Sequence, residues 1–188
     1  MRQEKEIIRA ALYGDWRSLA ESISSGSGVN AQGLGGWTAL MEAARKGYAK
    51  IVLELLLAGA NVNIQNDAGD TALMEASRRG NLEIVKILLG FGADIDTQNE
   101  YGETALMWVI RYRELRMLQE LISNGANVNI PDVSGLSPLM LAVCLNFTEA
   151  VQEILKAGGN SFLQDKKGRT AMIFAQKRET LEILEKAL

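Results

Sequence analysis

Apolar residues along this chain fall into two alternating patterns. Leu40 with Ala43 and Ala44 places a compact apolar face on one side of a helix. A second stripe follows at helical spacing, Ile51-Val52 with Leu55-Leu56, and recurs as Ile84-Val85 with Leu88-Leu89. Met117-Leu118 with Leu121-Ile122 and Ala150-Val151 with Ile154-Leu155 continue it. The pattern predicts pairs of short helices, an inner one lined with small residues and an outer one with a single buried stripe. Thr38 before the first helix offers a capping hydroxyl to free backbone amides, and Gly47 and Gly80 stand where a helix stops in the left-handed conformation. The Gly-Ala-Asn segments end the outer helices, and connections rich in Asn, Asp and Gly suit turns or hairpins.

These pairs repeat with a fixed period. Thr38-Ala39-Leu40 returns as Thr71-Ala72-Leu73, Thr104-Ala105-Leu106, Ser137-Pro138-Leu139 and Thr170-Ala171-Met172, each step being 33 residues. A glycine precedes each by two positions: Gly36, Gly69, Gly102, Gly135 and Gly168. Aligning 36–68 with 69–101 gives 17 identities in 33 positions, too many for chance. Pro138 suits the first helical position, where its missing N–H has no helical partner. One repeat cannot cover its own apolar faces, so stacking is expected to do so.

The chain resembles the ankyrin-repeat family. The likeness rests on the 33-residue period, on Gly-x-Thr-Ala-Leu-Met-x-Ala, and on the Gly-Ala-Asn/Asp-Val-Asn loops, and it covers roughly residues 3 to 188. A tetratricopeptide array, the rival solenoid, has a 34-residue period and lacks that loop. The expected fold is all-α with β-hairpin turns, a solenoid of about six stacked helix-turn-helix repeats in a single domain, 1–188. Residues 3–35 form an N-terminal capping repeat. Full repeats span 36–68, 69–101, 102–134 and 135–167, and 168–188 is a truncated C-terminal cap with a charged boundary from Lys177 to Lys186. Where the family places a histidine, this chain has Met41, Met74, Met107, Met140 and Ile173. Methionine fills that space as a flexible hydrophobe.

Composition narrows the chemistry. The chain of 188 residues has no histidine and one cysteine, Cys144. Histidine-dependent triads, His–zinc ligation and an intrachain disulfide are therefore excluded. With 23 acidic and 20 basic residues the net charge is −3, a poor match to phosphate, so no nucleic-acid partner is expected. The start of the chain lacks the apolar core of a secretory signal, and no apolar run is long enough to cross a bilayer. The expectation is a cytoplasmic monomer; a non-classical export signal would escape this reading.

Candidate catalytic features fail on inventory. Gly33, Gly35 and Gly36 lack the Lys-Ser/Thr of a phosphate loop, and Asp67 with Asp70 lie in an expected exposed hairpin. Cys144 is read as a bystander on an open face, and no residues suggest a cofactor or a metal. A non-catalytic protein-binding module is the favoured class, whether adaptor, inhibitor or recognition scaffold. The alternatives are an exported effector, the ankyrin portion of a larger protein, or an engineered binder. Framework drift such as Arg113 and Asn146 in place of glycine favours a natural sequence over the last.

The resemblance implies a concave groove, formed by inner helices and hairpin tips, that takes a partner protein. Helical angles from Leu40 put Glu42, Arg45 and Lys46 on the side away from the core. The central position along the stack reads Glu42, Glu75, Trp108, Leu141, Phe174. Helix ends supply Arg45-Lys46, Arg78-Arg79, Arg111-Tyr112 and Cys144-Leu145, and the tips supply Trp37, Asp70, Glu103 and Leu136, with Tyr101 beside Glu103. The first part of this surface alternates acid and base. The middle concentrates Tyr101, Trp108, Tyr112, Leu136 and Leu145, which is where a hot spot is expected, with the charges orienting the partner.

Overall fold

A computed structural model describes residues 2–26 and 28–186. Twelve α-helices and one short 3-10 turn make up the regular structure, with no strand among the described residues. The chain divides into two compact units, Met1–Glu100 and Tyr101–Leu188. Unit 1 holds α1 (Arg2–Tyr13), α2 (Trp16–Ser24), the 3-10 turn Leu34–Gly36, α3 (Ala39–Lys46), α4 (Ala49–Leu57), α5 (Ala72–Arg78) and α6 (Leu82–Gly90). Unit 2 holds α7 (Ala105–Arg111), α8 (Leu115–Ser123), α9 (Pro138–Cys144), α10 (Thr148–Lys156), α11 (Ala171–Phe174) and α12 (Arg178–Glu185).

In unit 1 the inner helix α3 packs between α1 and α5, and the outer α4 packs on α6. Ala43, Ala44 and Ala76 are fully buried, and their small side chains allow the close approach of neighbouring helices. In unit 2, α9 packs between α7 and α11 while α10 contacts α8 and α12. There the inner helices bury larger residues, Val109, Ile110 and Val143.

Each full inner helix starts on a side-chain cap. The hydroxyl of Thr38 accepts from Met41 N at 3.2 Å, Thr71 from Met74 N at 3.3 Å, Thr104 from Met107 N at 3.4 Å and Ser137 from Met140 N at 3.2 Å. Thr170 makes no such bond, and the helix after it, α11, lasts only four residues. The methionines that take the histidine position are buried to 1–2% exposure. Ile173, the same position in the last repeat, is 68% exposed because no further repeat lies over it among the described residues.

The tips of the connections close as five-residue turns without an assigned strand, so the expected hairpins are shorter than a β-ladder. Asn66 N donates to Asp70 O and Asp132 N to Leu136 O, both at 3.0 Å, closing the tips. Side chains stitch successive repeats together: Asn63 Oδ1 accepts from Asp94 N at 2.8 Å in unit 1, and Asn129 Oδ1 accepts from Asn160 N at 2.7 Å in unit 2. The periodic glycine has a steric reason. Gly102 has φ +72°, and a Cβ there would lie 2.6 Å from Val133 N. Gly168 keeps φ +73° but meets nothing within 4 Å, consistent with its place in the last repeat.

Candidate functional site

The face of unit 1 formed by its inner helices and tips carries seven of the expected contact residues, and burial sorts them. Lys46 and Arg79 are exposed, whereas Trp37, Arg45, Asp70 and Arg78 are half-buried. Glu42 and Glu75, expected outside, are only 9% and 2% exposed. The angular argument treats a helix as open over half its circumference. Neighbours on both sides of α3 leave a much narrower strip, and residues at the centre of the arc sink between them.

Each buried carboxylate is held by an arginine one turn on. Arg45 Nε donates to Glu42 Oε2 at 3.1 Å, and Arg78 donates to both Glu75 oxygens at 2.7–2.8 Å. Burial pushes the Glu75 carboxyl above the usual glutamate range; the Arg78 charge and hydrogen bonds oppose this without cancelling it. Trp37 flanks the row at its tip, with the Arg45 guanidinium 4.9 Å from its ring centre. Asp70 accepts from Asn99 Nδ2 at 2.9 Å.

Unit 2 carries the other seven expected residues and a different chemistry. Trp108 and Tyr112, one helical turn apart, stack with ring centres 6.0 Å apart and planes inclined by 14°. Trp108 is half-buried, Tyr112 is 50% exposed and Tyr101 is 63% exposed. Arg111 pairs with Glu103 and places its guanidinium 6.0 Å from the Trp108 ring. Leu136 and Leu145 are half-buried, while Leu141, at the register of Trp108, is only 4% exposed. Its burial has the same cause as that of Glu42: α9 lies between α7 and α11.

Among the catalytic candidates, Cys144 is exposed at the end of α9. Among the described residues no group of three or more Asp, Glu or Cys could hold a metal ion. Among the described residues no helix is long and apolar enough to cross a membrane. The sequence argument missed Arg9, which lies exposed at the register of Glu42 one repeat earlier, and Val133, an apolar tip residue 54% exposed. Subtracting the period from 42 would have found Arg9.

Residues 7–99, 40–132 and 73–165 each match the family described as ankyrin repeats (3 copies). The chain belongs to the ankyrin-repeat family. The matched windows together span 7–165, so the helix caps from Thr38 to Ser137 and the tips between them are those of ankyrin repeats. Ankyrin repeats are in general protein–protein interaction modules, and their fold is typically a non-catalytic scaffold. No curated protein matches the chain.

Proposed function

We propose that this ankyrin-repeat chain is a non-catalytic binding module whose principal contact with a partner protein lies on the inner-helix and tip face of unit 2. The observation that carries the reading is the Trp108–Tyr112 stack, partly open to solvent, with Tyr101 exposed in the same unit. Rigid aromatic rings supply large contact area at low entropy cost and dominate interface energies. Leu136 and Leu145 add apolar area, and Glu103 with Arg111 orients the edge. On unit 1, Trp37, Arg45, Lys46, Asp70, Arg78 and Arg79 form the secondary contact. Glu75 acts there by holding Arg78.

The test is capture of partners by the wild-type chain and by a Trp108→Ala/Tyr112→Ala variant, followed by affinity measurement on the protein captured. The double variant is expected to keep the wild-type helical signal and melting curve and to lose affinity at least about tenfold. Unchanged affinity for a directly verified partner refutes the assignment.

A further inference from the structure

Along the inner helices of unit 1 the sequence alternates acids with bases, which reads as a surface without net sign. The folded unit presents something else. Glu42 and Glu75 are 9% and 2% exposed beneath their own arginines, and Asp70 is half-buried with Oδ1 accepting from Asn99. The cations remain outside. Lys46, Arg79 and, one repeat earlier, Arg9 are exposed, and Arg45 and Arg78 keep 26% and 28% of their side chains accessible. Carboxylates facing inward therefore hold two guanidinium groups in place while solvent meets a row of positive charge.

We infer that this face of unit 1 binds an acidic segment of a partner protein, with carboxylates docking on Lys46, Arg79 and the outer edge of the Arg45 guanidinium group. The inference rests on the reading of these faces as protein-binding and adds the chemistry of what unit 1 takes. Two features favour it. Arg45 is fixed on one side by Glu42 and on another by the Trp37 ring at 4.9 Å, so little rotamer freedom is left to lose on binding. A guanidinium has five N–H donors, more than one carboxylate partner occupies, so Arg45 can bridge Glu42 and an outer acid.

A nucleic acid fits less well. Exposed Asp67 and Glu100 stand at the tips of the same unit, where a phosphate backbone would meet repulsion, and the chain carries a net charge of −3. The acids at the tips instead set a boundary that a short acidic peptide can avoid.

The experiment measures fluorescence anisotropy on the full chain with three labelled probes: a peptide of alternating Glu and Gly, its Gln counterpart, and single-stranded oligothymidylate. The Glu peptide is expected to bind, to weaken as salt is raised, and to outcompete the Gln peptide. Lys46→Ala/Arg79→Ala should weaken it at least about tenfold, and Lys46→Arg/Arg79→Lys should restore it to within about twofold. Both substitutions spare the arginines that cover Glu42 and Glu75, so the melting curve should stay put. Trp108→Ala/Tyr112→Ala should leave this binding unchanged, which separates failure here from failure of the unit 2 assignment. Absence of Glu-peptide binding, equal binding of the Gln peptide, or indifference to Lys46→Ala/Arg79→Ala overturns the inference. Tighter binding of oligothymidylate through the same two residues overturns it in favour of a nucleic acid.

Discussion

At one register of the inner helices, unit 1 places Glu42 and Glu75, and unit 2 places Trp108 and Leu141. Glu42 lies on α3 between α1 and α5, and Leu141 lies on α9 between α7 and α11. In unit 1 the register is filled by a carboxylate that needs an arginine cover; in unit 2 it is filled by a ring that stacks on Tyr112 or by a leucine that simply packs. The backbone is the same in both, with a capped helix of seven or eight residues in each case. Stacking thus specifies the size and place of the slot, and leaves its polarity open. Polar filling produces a rigid charged surface, and apolar filling produces a surface whose energy comes from contact area.

The largest expected difference between the units lies at equivalent arginines. Arg78→Ala leaves Glu75 buried without its hydrogen-bonding partner and should cost roughly 3 kcal/mol at neutral pH. Arg111→Ala breaks an ion pair whose arginine is 42% exposed and should cost under about 1 kcal/mol. Denaturant titration of both variants decides the matter, and equal losses would erase the distinction drawn between the units.

Next in size is Ser77, fully buried with no partner for its hydroxyl, where unit 2 carries Ile110 at the same register. Ser77→Ala removes an unsatisfied polar group and should stabilise the protein by about 1 kcal/mol, readable as a higher denaturation midpoint with an unchanged slope. A loss of stability would mean that the hydroxyl is satisfied in solution.

The smallest expected signals are pH slopes of opposite sign. Glu75 holds its proton more tightly folded than unfolded, because burial disfavours the charge. Its contribution to stability is full below the ordinary value of 4.5 and fades as pH rises through the higher folded value. Asp165 behaves in reverse, since the hydrogen bond from Arg169 Nε at 2.7 Å holds its carboxyl below the usual range. Its contribution is present above 3.8 and fades as pH falls through the lower folded value. In stability measured across the acidic range, Glu75→Gln should remove the first slope and Asp165→Asn the second. Asparagine keeps the Oδ1 acceptor that Lys167 N and Arg169 N need. A profile unaltered by Glu75→Gln would show that its carboxyl is not held in the desolvated position.

Much of the fold was legible because the repeat makes each inference several times over. Capping hydroxyls, stop glycines and outer stripes sit at fixed offsets, and the bonds of Thr38, Thr71, Thr104 and Ser137 follow from local chemistry. Thr170 shows where local chemistry stops: it has the right residue type but no cap bond, and α11 ends after one turn. Arg113 is another such place. It occupies the glycine register at φ +61°, a conformation L side chains rarely adopt. Its guanidinium bonds Leu145 O at 2.9 Å and lies 4.8 Å from the Phe147 ring. Those contacts come from the following repeat, which no local rule identifies as the anchor.

Period, helix pairing and the absence of histidine chemistry follow from residue identity and spacing alone, so the amino-acid order determined them unaided. Accessibility was decided only by packing. Whether Glu75 faces water depends on how close the neighbouring helix lies and on where Arg78 folds, and both are set by contacts between residues far apart in the chain. A helical angle names the side of a residue. The distance to the next helix determines how much of that side remains exposed.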